Sequence, residues 1–326
     1  DILDLINQFN ITHNRIVKID KHQKGDEFSK CSINQFSERI RAFVKIEDGC
    51  DRFCSYCIIP MSRGRVRSKS LEDLKEEIAM LGKNGIKEIV LVGINLSSYG
   101  KGQDFNIVDA VKICNDDPNI KRVRLGSLEP DHITDEVIEG LAQCEKLCPQ
   151  FHISLQSGCD KTLKDMNRHY NSDEYRRLCN KLRDTFDNAT ITTDIMVGFN
   201  DETEEDFKTS LQFAKEIGFE KVHTFPYSER QGTVASRKGD NVPKQEKERR
   251  ASVMIEETNK IRHEYFNKLI GAKEVVLFEN NLGGNTYQGY TKNYVPVRME
   301  SNTDIIGKEI EVTIKSADIN LDCCFA

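Results

Sequence analysis

The chain has 326 residues, of which 38% are hydrophobic and 31% charged, and its formal net charge is −6. This is the composition of an ordinary globular protein with two or three domains, at roughly 100–200 residues per domain. It contains no run of about 18 apolar residues and no secretory signal, so we expect a cytoplasmic protein without a membrane span. The acidic balance argues against general nucleic-acid binding but leaves room for a local basic surface.

The eleven cysteines are the most informative feature of the composition. Their odd number, without a secretory signal, argues against a disulfide framework. In a reducing compartment, clustered thiols are more often metal ligands or reactive groups. The spacing of the cysteines therefore decides what they do.

The first predicted elements are short. The spacing of apolar residues in Asp1–Phe9 predicts an amphipathic helix, and Ile16–Ile19 is a short predicted strand that a polar stretch follows. A helix and a strand in this position are typical of the end of a preceding domain. A short extension packed on the main domain is the alternative.

From residue 41 to residue 225 strands and helices alternate. The predicted strands are Arg41–Glu47, Glu88–Val92, Val123–Leu125, Phe151–Leu155, Thr190–Val197 and Lys221–Phe225. The predicted helices between them are Ser70–Leu81, Ile107–Cys114, Thr134–Cys144, Asp173–Thr185 and Thr203–Ile217. This alternation predicts right-handed βαβ units and a parallel sheet, either doubly wound or closed into a partial or full barrel.

Polar and glycine residues follow several of these strands. The clusters are Gly93-Ile94-Asn95, Ser127-Leu128-Glu129, Gln156-Ser157-Gly158 and Gly198. The carboxyl ends of parallel strands are where α/β folds place their chemistry. A single such cluster is usually only a turn, but several at the same strand end favour a ligand site.

The pattern changes after residue 225. Gln245–Leu269 is a long charged helix, and short strands with turn residues between them follow it. These predicted strands are Glu274–Phe278, Thr286–Tyr290, Tyr294–Arg298 and Glu309–Lys315, and Cys323 and Cys324 are also expected to be strand residues. Several short strands in roughly fifty residues suggest a small barrel of OB-like kind.

Cys50, Cys54 and Cys57 lie just after the first predicted strand, with the spacing C-x3-C-x2-C. A structural zinc site needs a fourth ligand, and no Cys or His lies nearby in the sequence. A redox pair of Cys54 and Cys57 leaves Cys50 unexplained. An iron–sulfur cluster on three thiolates explains all three and leaves one iron without a protein ligand.

This cysteine spacing, with an aromatic residue before the third cysteine, resembles the radical S-adenosylmethionine (SAM) superfamily. Within it the chain resembles the methylthiotransferases, most closely the branch that modifies N6-threonylcarbamoyladenosine at tRNA position 37. The motifs that carry this resemblance are Asp48-Gly49-Cys50-Asp51, Cys57-Ile58-Ile59-Pro60, Gly93-Ile94-Asn95, Ser127-Leu128-Glu129-Pro130, Leu155-Gln156-Ser157-Gly158, Val197-Gly198-Phe199 and Phe225-Pro226-Tyr227-Ser228.

The resemblance implies a fold and a division into domains. The fold is α/β: a partial (β/α)6 TIM-like barrel of radical SAM type, with a small C-terminal all-β barrel that resembles the RNA-binding TRAM domain. Residues 1–36 would be the remnant of an N-terminal methylthiotransferase domain and a linker, 37–270 the radical SAM core, and 271–326 the TRAM-like domain. Family members normally begin with a domain whose three cysteines hold a second, auxiliary [4Fe–4S] cluster, for which the isolated Cys31 cannot substitute.

The resemblance also implies a reaction. Cys50, Cys54 and Cys57 would hold a [4Fe–4S] cluster whose open iron binds SAM. Reductive cleavage of SAM gives a 5′-deoxyadenosyl radical that removes hydrogen from C2 of the adenine, after which sulfur and a methyl group are added. Such a C–H bond has no useful pKa, so acid–base chemistry cannot open it. The implied partners are a tRNA anticodon stem-loop, a reductant such as flavodoxin or ferredoxin, and a sulfur donor.

Further positions follow from the same resemblance. The residues implied to line the SAM or substrate pocket are Tyr56, Gly93, Asn95, Ser127, Glu129, Gln156 and Asp194. For Tyr56 a packed loop aromatic is the alternative, and for the strand-end residues it is capping of the following helix. Arg168 could meet a phosphate or the SAM carboxylate, or be a plain surface residue.

Basic and aromatic residues suggest an RNA surface. The first basic run is Arg63, Arg65, Arg67 and Lys69; the second is Arg237, Lys238, Lys244, Lys247, Arg249 and Arg250; the β region adds Lys292, Arg298, Tyr287, Tyr290 and Tyr294. Cations hold phosphates and rings stack on unpaired bases. Three functions remain as alternatives to methylthiolation of N6-threonylcarbamoyladenosine. Two are methylthiotransferases, one acting on isopentenyladenosine in tRNA and one on a ribosomal protein. The third is an RNA-binding module with a structural cluster and no enzymatic activity.

Overall fold

The computed structural model describes residues 2–18, 26–28 and 40–326. The first part of the chain forms α1 (Ile2–Thr12), β1 (Arg41–Lys45), β2 (Glu47–Asp48), α2 (Ile59–Arg63), β3 (Arg67–Ser68), α3 (Leu71–Lys83), β4 (Glu88–Val92), α4 (Ile107–Asp116), β5 (Arg122–Leu125) and α5 (Asp135–Ala142). The middle part forms β6 (Gln150–His152), α6 (Asp160–Asp165), α7 (Ser172–Thr185), β7 (Thr190–Val197), α8 (Glu204–Ile217), β8 (Lys221–Pro226) and α9 (Lys244–Lys268). The last part forms β9 (Lys273–Gly283), β10 (Thr286–Tyr290), β11 (Pro296–Glu300), β12 (Glu309–Thr313), β13 (Ser316–Asp318) and β14 (Cys323–Phe325).

The six core strands follow one another in chain order around a partial barrel. They pair in parallel as two three-stranded sheets, β1-β4-β5 and β6-β7-β8. Isolated parallel bridges from Val123 to Leu147 and from Leu128 to Ile153 join the two sheets beside β5 and β6. A doubly wound sheet would reverse its strand order at a switch point, and this one does not. The predicted partial (β/α)6 barrel is therefore confirmed.

Each core strand turns one face to the helices and the other to the barrel interior. On β1, Ala42 and Val44 are buried, whereas Phe43 between them is exposed. Ile191 and Ile195 of β7 belong to the same apolar cluster as Ala42, which the surrounding helices cover. The alternation follows from the two-residue period of a strand.

The last part of the chain forms a mixed six-stranded sheet in the order β12-β9-β10-β11-β14-β13. Its pairings are antiparallel except for β11 with β14. Its own apolar cluster includes Val276, Phe278 and Val297, together with Phe266 near the end of α9. The expected small C-terminal β unit is confirmed, and Cys323 and Cys324 are strand residues as expected.

Two buried arginines of β5 attach this sheet to the amino-terminal end of the barrel. The Arg122 side chain is fully buried, and its Nε, Nη1 and Nη2 atoms donate to Glu309 Oε1, Tyr290 O and Val275 O at 2.6, 2.8 and 2.9 Å. Arg124 donates to the carbonyl oxygens of Lys292 and Thr291. The C-terminal sheet therefore covers the end of the barrel opposite the carboxyl ends of the strands.

The segments before β1 differ from the sequence prediction. Helix α1 extends to Thr12, and none of its side chains is buried. Residues 16–18 form no strand, so the predicted strand Ile16–Ile19 is wrong over these residues, while Asp1, Ile19 and Cys31 lie outside the described residues. Of the helices in the described ranges, none is both long and apolar enough to cross a membrane.

Candidate functional site

The three cysteines of the C-x3-C-x2-C motif lie on one loop at the carboxyl end of the barrel. The loop is tied at its start by the Cys50 N–H, which donates to Gly64 O at 3.1 Å, and it turns where the Cys57 N–H donates to Cys54 O. Gly49 has φ +85°, and a Cβ there would lie 2.0 Å from Arg65 O. Only glycine allows this backbone approach, which folds the loop back on itself.

All three thiols are free and partly exposed, unlike the buried cysteines elsewhere in the described chain. Burial raises the pKa of Cys50 to about 11, and burial also raises the pKa of Cys57. Burial disfavours the charged thiolates of Cys50 and Cys57, and the neighbouring Cys54 thiol adds to this effect. A bound metal centre supplies the positive charge that thiolates in this loop need.

A buried arginine and an asparagine approach the sulfur atoms. Arg168 Nη1 lies 3.1 Å from Cys54 Sγ, and Asn95 Nδ2 lies 3.8 Å from Cys50 Sγ. The same guanidinium donates to Glu129 Oε2 at 2.5 Å and to the Tyr170 hydroxyl at 3.0 Å. The sequence left open that Arg168 is a plain surface residue, and this alternative is wrong because the side chain is buried.

The donor set fits a cluster better than a single ion. Among the described residues, no three Cys, His, Asp or Glu side chains converge closely enough to hold one metal ion. A zinc ion needs four donors at about 2.0–2.3 Å from one centre, whereas the thiolates of an iron–sulfur cluster bind separate irons. Arg168 and Asn95 place hydrogen-bond donors beside two of these sulfur atoms, and the ligands of a metal centre commonly receive such hydrogen bonds. The three cysteines therefore fit a [4Fe–4S] cluster.

The glycine and asparagine that follow β4 are held by a buried glutamate. Glu47 Oε2 accepts the Asn95 N–H at 2.8 Å, and a Cβ on Gly93 would lie 2.6 Å from the same oxygen. Asn95 is buried, and its Oδ1 atom has no partner among the described residues. A buried acceptor without a donor at a strand end indicates room for a ligand group that donates.

Gln156, at the carboxyl end of the second sheet, resembles Asn95 in being buried with an unpartnered side-chain oxygen. Its φ is +69°, its side chain is buried, and its Oε1 atom has no partner within the described chain. Its backbone N–H donates to Asp194 O, and its carbonyl accepts the Met196 N–H, which fixes the residue against β7. The unpartnered Gln156 Oε1 thus lies at the carboxyl end of the barrel, as Asn95 Oδ1 does.

Of three further residues that the sequence analysis proposed for the pocket, two contact other residues of the site and one is exposed to solvent. Tyr56 packs edge-on against Phe199 at 6.1 Å, and burial raises its pKa well above the usual range. Glu129 meets Arg168, as described above. Ser127 is exposed, and the structure records no side-chain hydrogen bond for it.

Asp194 was expected at a strand end, and this expectation is wrong. It lies within β7, three residues before its end, and its Oδ2 atom is 3.2 Å from His152 Nε2. The neighbouring strand places His223 beside it. His152 and His223 line a cleft of about 490 Å³ between the amino-terminal ends of β6–β8 and the C-terminal sheet. Asp194 therefore faces the barrel interior towards this cleft.

Two residues at the site were missed by the sequence reasoning. One is Glu47. The other is Arg52, between the first two cysteines, which is buried and contacts Asp131 Oδ1 at 2.6 Å and His132 Nε2 at 3.1 Å. A charged residue inside a cysteine motif is a signal that could have identified Arg52. Nothing in the local sequence separates Glu47 from an ordinary strand residue.

Ionisation of the buried Glu47 carboxyl group is expected to destabilise the folded state. Burial raises its pKa to about 7, against the Asn95 and Ile94 N–H groups, which lower it. A carboxyl group whose pKa is higher in the folded state stabilises the fold below its unfolded value, and this contribution is lost as pH rises through the folded value. The loss amounts to about 3 kcal/mol between pH 4.5 and pH 7.

We expect the variant Glu47→Gln to lack this pH dependence. Its free energy of unfolding, minus that of the wild type, should increase by up to about 3 kcal/mol between about pH 5 and pH 8. Glu220, whose pKa burial also raises to about 7, is present in both proteins and cancels in the difference. A difference that stays constant over this pH range would contradict the assignment.

The structure changes the expected RNA surface. Most residues of the first basic run form ion pairs: Arg65 with Asp51, Arg67 with Asp48 and the buried Lys69 with Glu77. Most residues of the second run do so too: Lys238 with Asp165, Lys244 with Glu248, Lys247 with Asp240, Arg249 with Glu204 and Glu246, and Arg250 with Glu202 and Glu246. Arg63 and Arg237 remain without a side-chain partner among the described residues. The two basic runs are thus mostly neutralised.

The aromatic residues of the β region are likewise engaged within the protein. Tyr290 and Tyr294 stack at 4.7 Å, and Arg41 lies over both rings. Tyr287 is buried in the C-terminal cluster. Tyr287 is therefore not available for stacking on a base, whereas Tyr290 and Tyr294 are half-buried and line the cleft near His152, so base stacking stays a prediction for these two rings.

Comparison with known proteins agrees with this geometry. A family model described as the radical SAM superfamily matches residues 44–214, more than half of the chain. These residues include the cysteine loop and most of the barrel. The fold and the site together define a radical SAM protein.

Two curated relatives identify the branch of this superfamily more narrowly. The chain is 37% identical over 316 residues to threonylcarbamoyladenosine tRNA methylthiotransferase MtaB of Thermotoga maritima, covering 97% of this chain and 71% of that protein. It is 37% identical over 281 residues to tRNA-2-methylthio-N(6)-dimethylallyladenosine synthase of Acetivibrio thermocellus, covering 85% of this chain and 58% of that protein. The chain belongs to the radical SAM methylthiotransferase family.

Solved structures are similar in fold. Coproporphyrinogen III oxidase (HemN) of Escherichia coli superposes with a TM-score of 0.55 at 14% identity, over 79% of this chain and 68% of that one. The radical SAM methyltransferase TsrM of Kitasatospora setae gives 0.50 at 13% identity, over 76% of this chain and 42% of that one. At such identities the similarity concerns the fold alone.

Proposed function

We propose that this protein cleaves SAM at a [4Fe–4S] cluster and methylthiolates C2 of N6-threonylcarbamoyladenosine 37 in tRNA. The observation that carries the proposal is the loop of three free thiols at the carboxyl end of a radical SAM barrel. The relative that aligns with 97% of the chain is named for this nucleoside. The chain spans 71% and 58% of the two relatives' lengths, so the activity of the whole protein is part of the proposal.

In this proposal Cys50, Cys54 and Cys57 hold the cluster, which when bound supplies the electron that cleaves SAM to a 5′-deoxyadenosyl radical. Arg168 stabilises the negative charge on the Cys54 sulfur and is itself held by Glu129 and Tyr170. Tyr56 extends the apolar wall at the mouth, where Phe199 and its neighbours exclude water.

The strand-end residues have roles in orientation. Asn95 Oδ1 and Gln156 Oε1 are buried acceptors without partners in the described chain, suited to donor groups of SAM or of the nucleoside. Glu47 holds the loop of Gly93 and Asn95 in place through the Asn95 N–H. Ser127 lies at the same end of the barrel and is exposed to solvent. Asp194 instead pairs with His152 in the barrel interior.

The second candidate substrate is N6-dimethylallyladenosine, since relatives at 37–39% identity are named for it. The two nucleosides differ at the N6 substituent, a threonylcarbamoyl group with a carboxylate against an apolar prenyl group. The two substrate assignments can be separated by giving one preparation of the protein both tRNA carrying the threonylcarbamoyl nucleoside and tRNA carrying the dimethylallyl nucleoside.

The test is anaerobic reconstitution of the protein with iron and sulfide, followed by excess SAM, a reductant, sulfide as the sulfur donor and tRNA. We expect 5′-deoxyadenosine by chromatography, and a methylthio group on the threonylcarbamoyl nucleoside by mass spectrometry of digested tRNA. Absence of 5′-deoxyadenosine from a protein that has bound its cluster would overturn the proposal. Product on the dimethylallyl nucleoside alone would overturn the choice of substrate.

A further inference from the structure

Two loops meet at the mouth of the barrel, beside the cysteine loop. The Ala235 N–H, in the loop after β8, donates to Ser55 O at 2.7 Å, and Ser55 N–H donates to Met166 O. A Cβ on Gly232 would lie 3.7 Å from Ile58 Cδ1, so the two loops are in van der Waals range. The rim of the mouth is therefore built by residues 50–64 and 228–241.

Three arginines on this rim have no ion pair within the described part of the chain, unlike most of the other arginines described there. They are Arg63 at the end of α2, and Arg230 and Arg237 in the loop after β8; all three are exposed. Their guanidinium groups have no hydrogen-bond or ion-pair partner among the described residues. An unpaired guanidinium is fully available to a phosphate, which it can bind with two parallel hydrogen bonds.

Large apolar side chains lie exposed on the same two loops. Met61 is 58% exposed and Val234 is 56% exposed. Unpaired cations next to exposed apolar groups match a single-stranded RNA loop, whose phosphates are anionic and whose unpaired bases present apolar faces. An acidic protein with a net charge of −6 can bind such a polyanion only through a local surface of this kind.

We infer that Arg63, Arg230 and Arg237 bind the backbone phosphates of the RNA strand that carries the target adenosine. The inference rests on the proposed tRNA substrate and places its electrostatic contact on the rim of the radical SAM barrel. The ion-paired residues of the two basic runs and the tyrosines of the C-terminal sheet are not needed for it. The contact holds the strand where an unstacked base reaches the cluster loop.

The test measures binding of this chain to a fluorescent anticodon stem-loop RNA as a function of salt concentration. For single strands the logarithm of affinity falls with a slope of about 0.7 per phosphate contact, which is roughly a fourfold loss at about 0.15 M salt per contact. We expect each of Arg63→Gln, Arg230→Gln and Arg237→Gln to show this loss, and the triple variant to lose roughly fiftyfold and about two units of slope.

The matched control is Arg177→Gln. Arg177 is also exposed and without a partner in the described chain, but it lies on α7, outside the rim. The Arg177→Gln variant should bind RNA as tightly as the wild type does. In the absence of RNA, all variants should release 5′-deoxyadenosine at the wild-type rate. A triple variant with wild-type affinity and slope would overturn the inference alone. A wild-type chain without salt-dependent RNA affinity would overturn the tRNA substrate as well.

Discussion

Replacing Cys54 by serine is expected to abolish SAM cleavage. The reconstituted variant should lose the broad visible absorbance of the cluster, and 5′-deoxyadenosine formation should fall by at least about 10³-fold, or about 4 kcal/mol in activation free energy. Thiolates hold iron–sulfur clusters, and a serine hydroxyl is a far weaker ligand at neutral pH. The Arg168 guanidinium, 3.1 Å from the lost sulfur, would also remain as a buried cation with one partner fewer.

The matched control for this change is Cys144→Ser. Cys144 is another free thiol, buried in the turn after α5, and its one hydrogen bond among the described residues goes to the Gly140 carbonyl, at 3.8 Å. This variant should bind iron and cleave SAM as the wild type does. Cys50→Ser and Cys57→Ser should behave like Cys54→Ser. Retention of cluster absorbance and of 5′-deoxyadenosine formation in any of these three variants would show that its cysteine is not a cluster ligand.

Replacing Arg122 by leucine is expected to lower the free energy of unfolding by about 3–5 kcal/mol. The fully buried guanidinium is shared between Glu309 and the carbonyl oxygens of Tyr290 and Val275. Leucine leaves both carbonyl groups without this donor, at a cost of about 1–3 kcal/mol each where they stay dry. Because these contacts join the barrel to the C-terminal sheet, the sheet should be released first.

Urea denaturation and limited proteolysis near residue 270 measure this effect. The matched control is Arg176→Leu, which removes ion pairs with Asp173 and Glu216 on the protein surface. Such exposed pairs contribute about 0–1 kcal/mol, so the control should remain close to the wild type. If Arg122→Leu is no more destabilised than Arg176→Leu, and the C-terminal sheet is no more readily cleaved, then Arg122 does not anchor the sheet.

Much of the fold could be predicted because its signals are local. The β-branched run Glu88–Val92 and the capped helix beginning after Thr203 both appear where the sequence predicts them, and the Thr203 capping box is formed. Hydrophobic period and capping chemistry act over a few residues, so they can be read from the sequence. Ile16–Lys18 has the composition of a strand but forms none, because a strand also needs a neighbour with which to pair.

The candidate site was predictable in its centre and not in its surroundings. The spacing of Cys50, Cys54 and Cys57 lies within eight residues, and it identifies the loop without any tertiary information. Arg168 is 114 residues from Cys54 along the chain, and only the fold brings its buried guanidinium next to the Cys54 sulfur. For Asp194 the sequence predicted a place in the pocket, but the fold directs its side chain towards His152 instead.

The sequence by itself thus determined the alternation of strands and helices, the cysteine loop and the family. The tertiary structure decided which charges are neutralised and which are free. Arg122 and Glu309 are 187 residues apart in the chain, and their contact exists because the C-terminal sheet packs under the barrel. Arg63 and Arg65 look alike in the sequence, but only Arg65 has an ion-pair partner in the described chain. Local patterns depend on neighbours along the chain, whereas pairing and burial depend on neighbours in space.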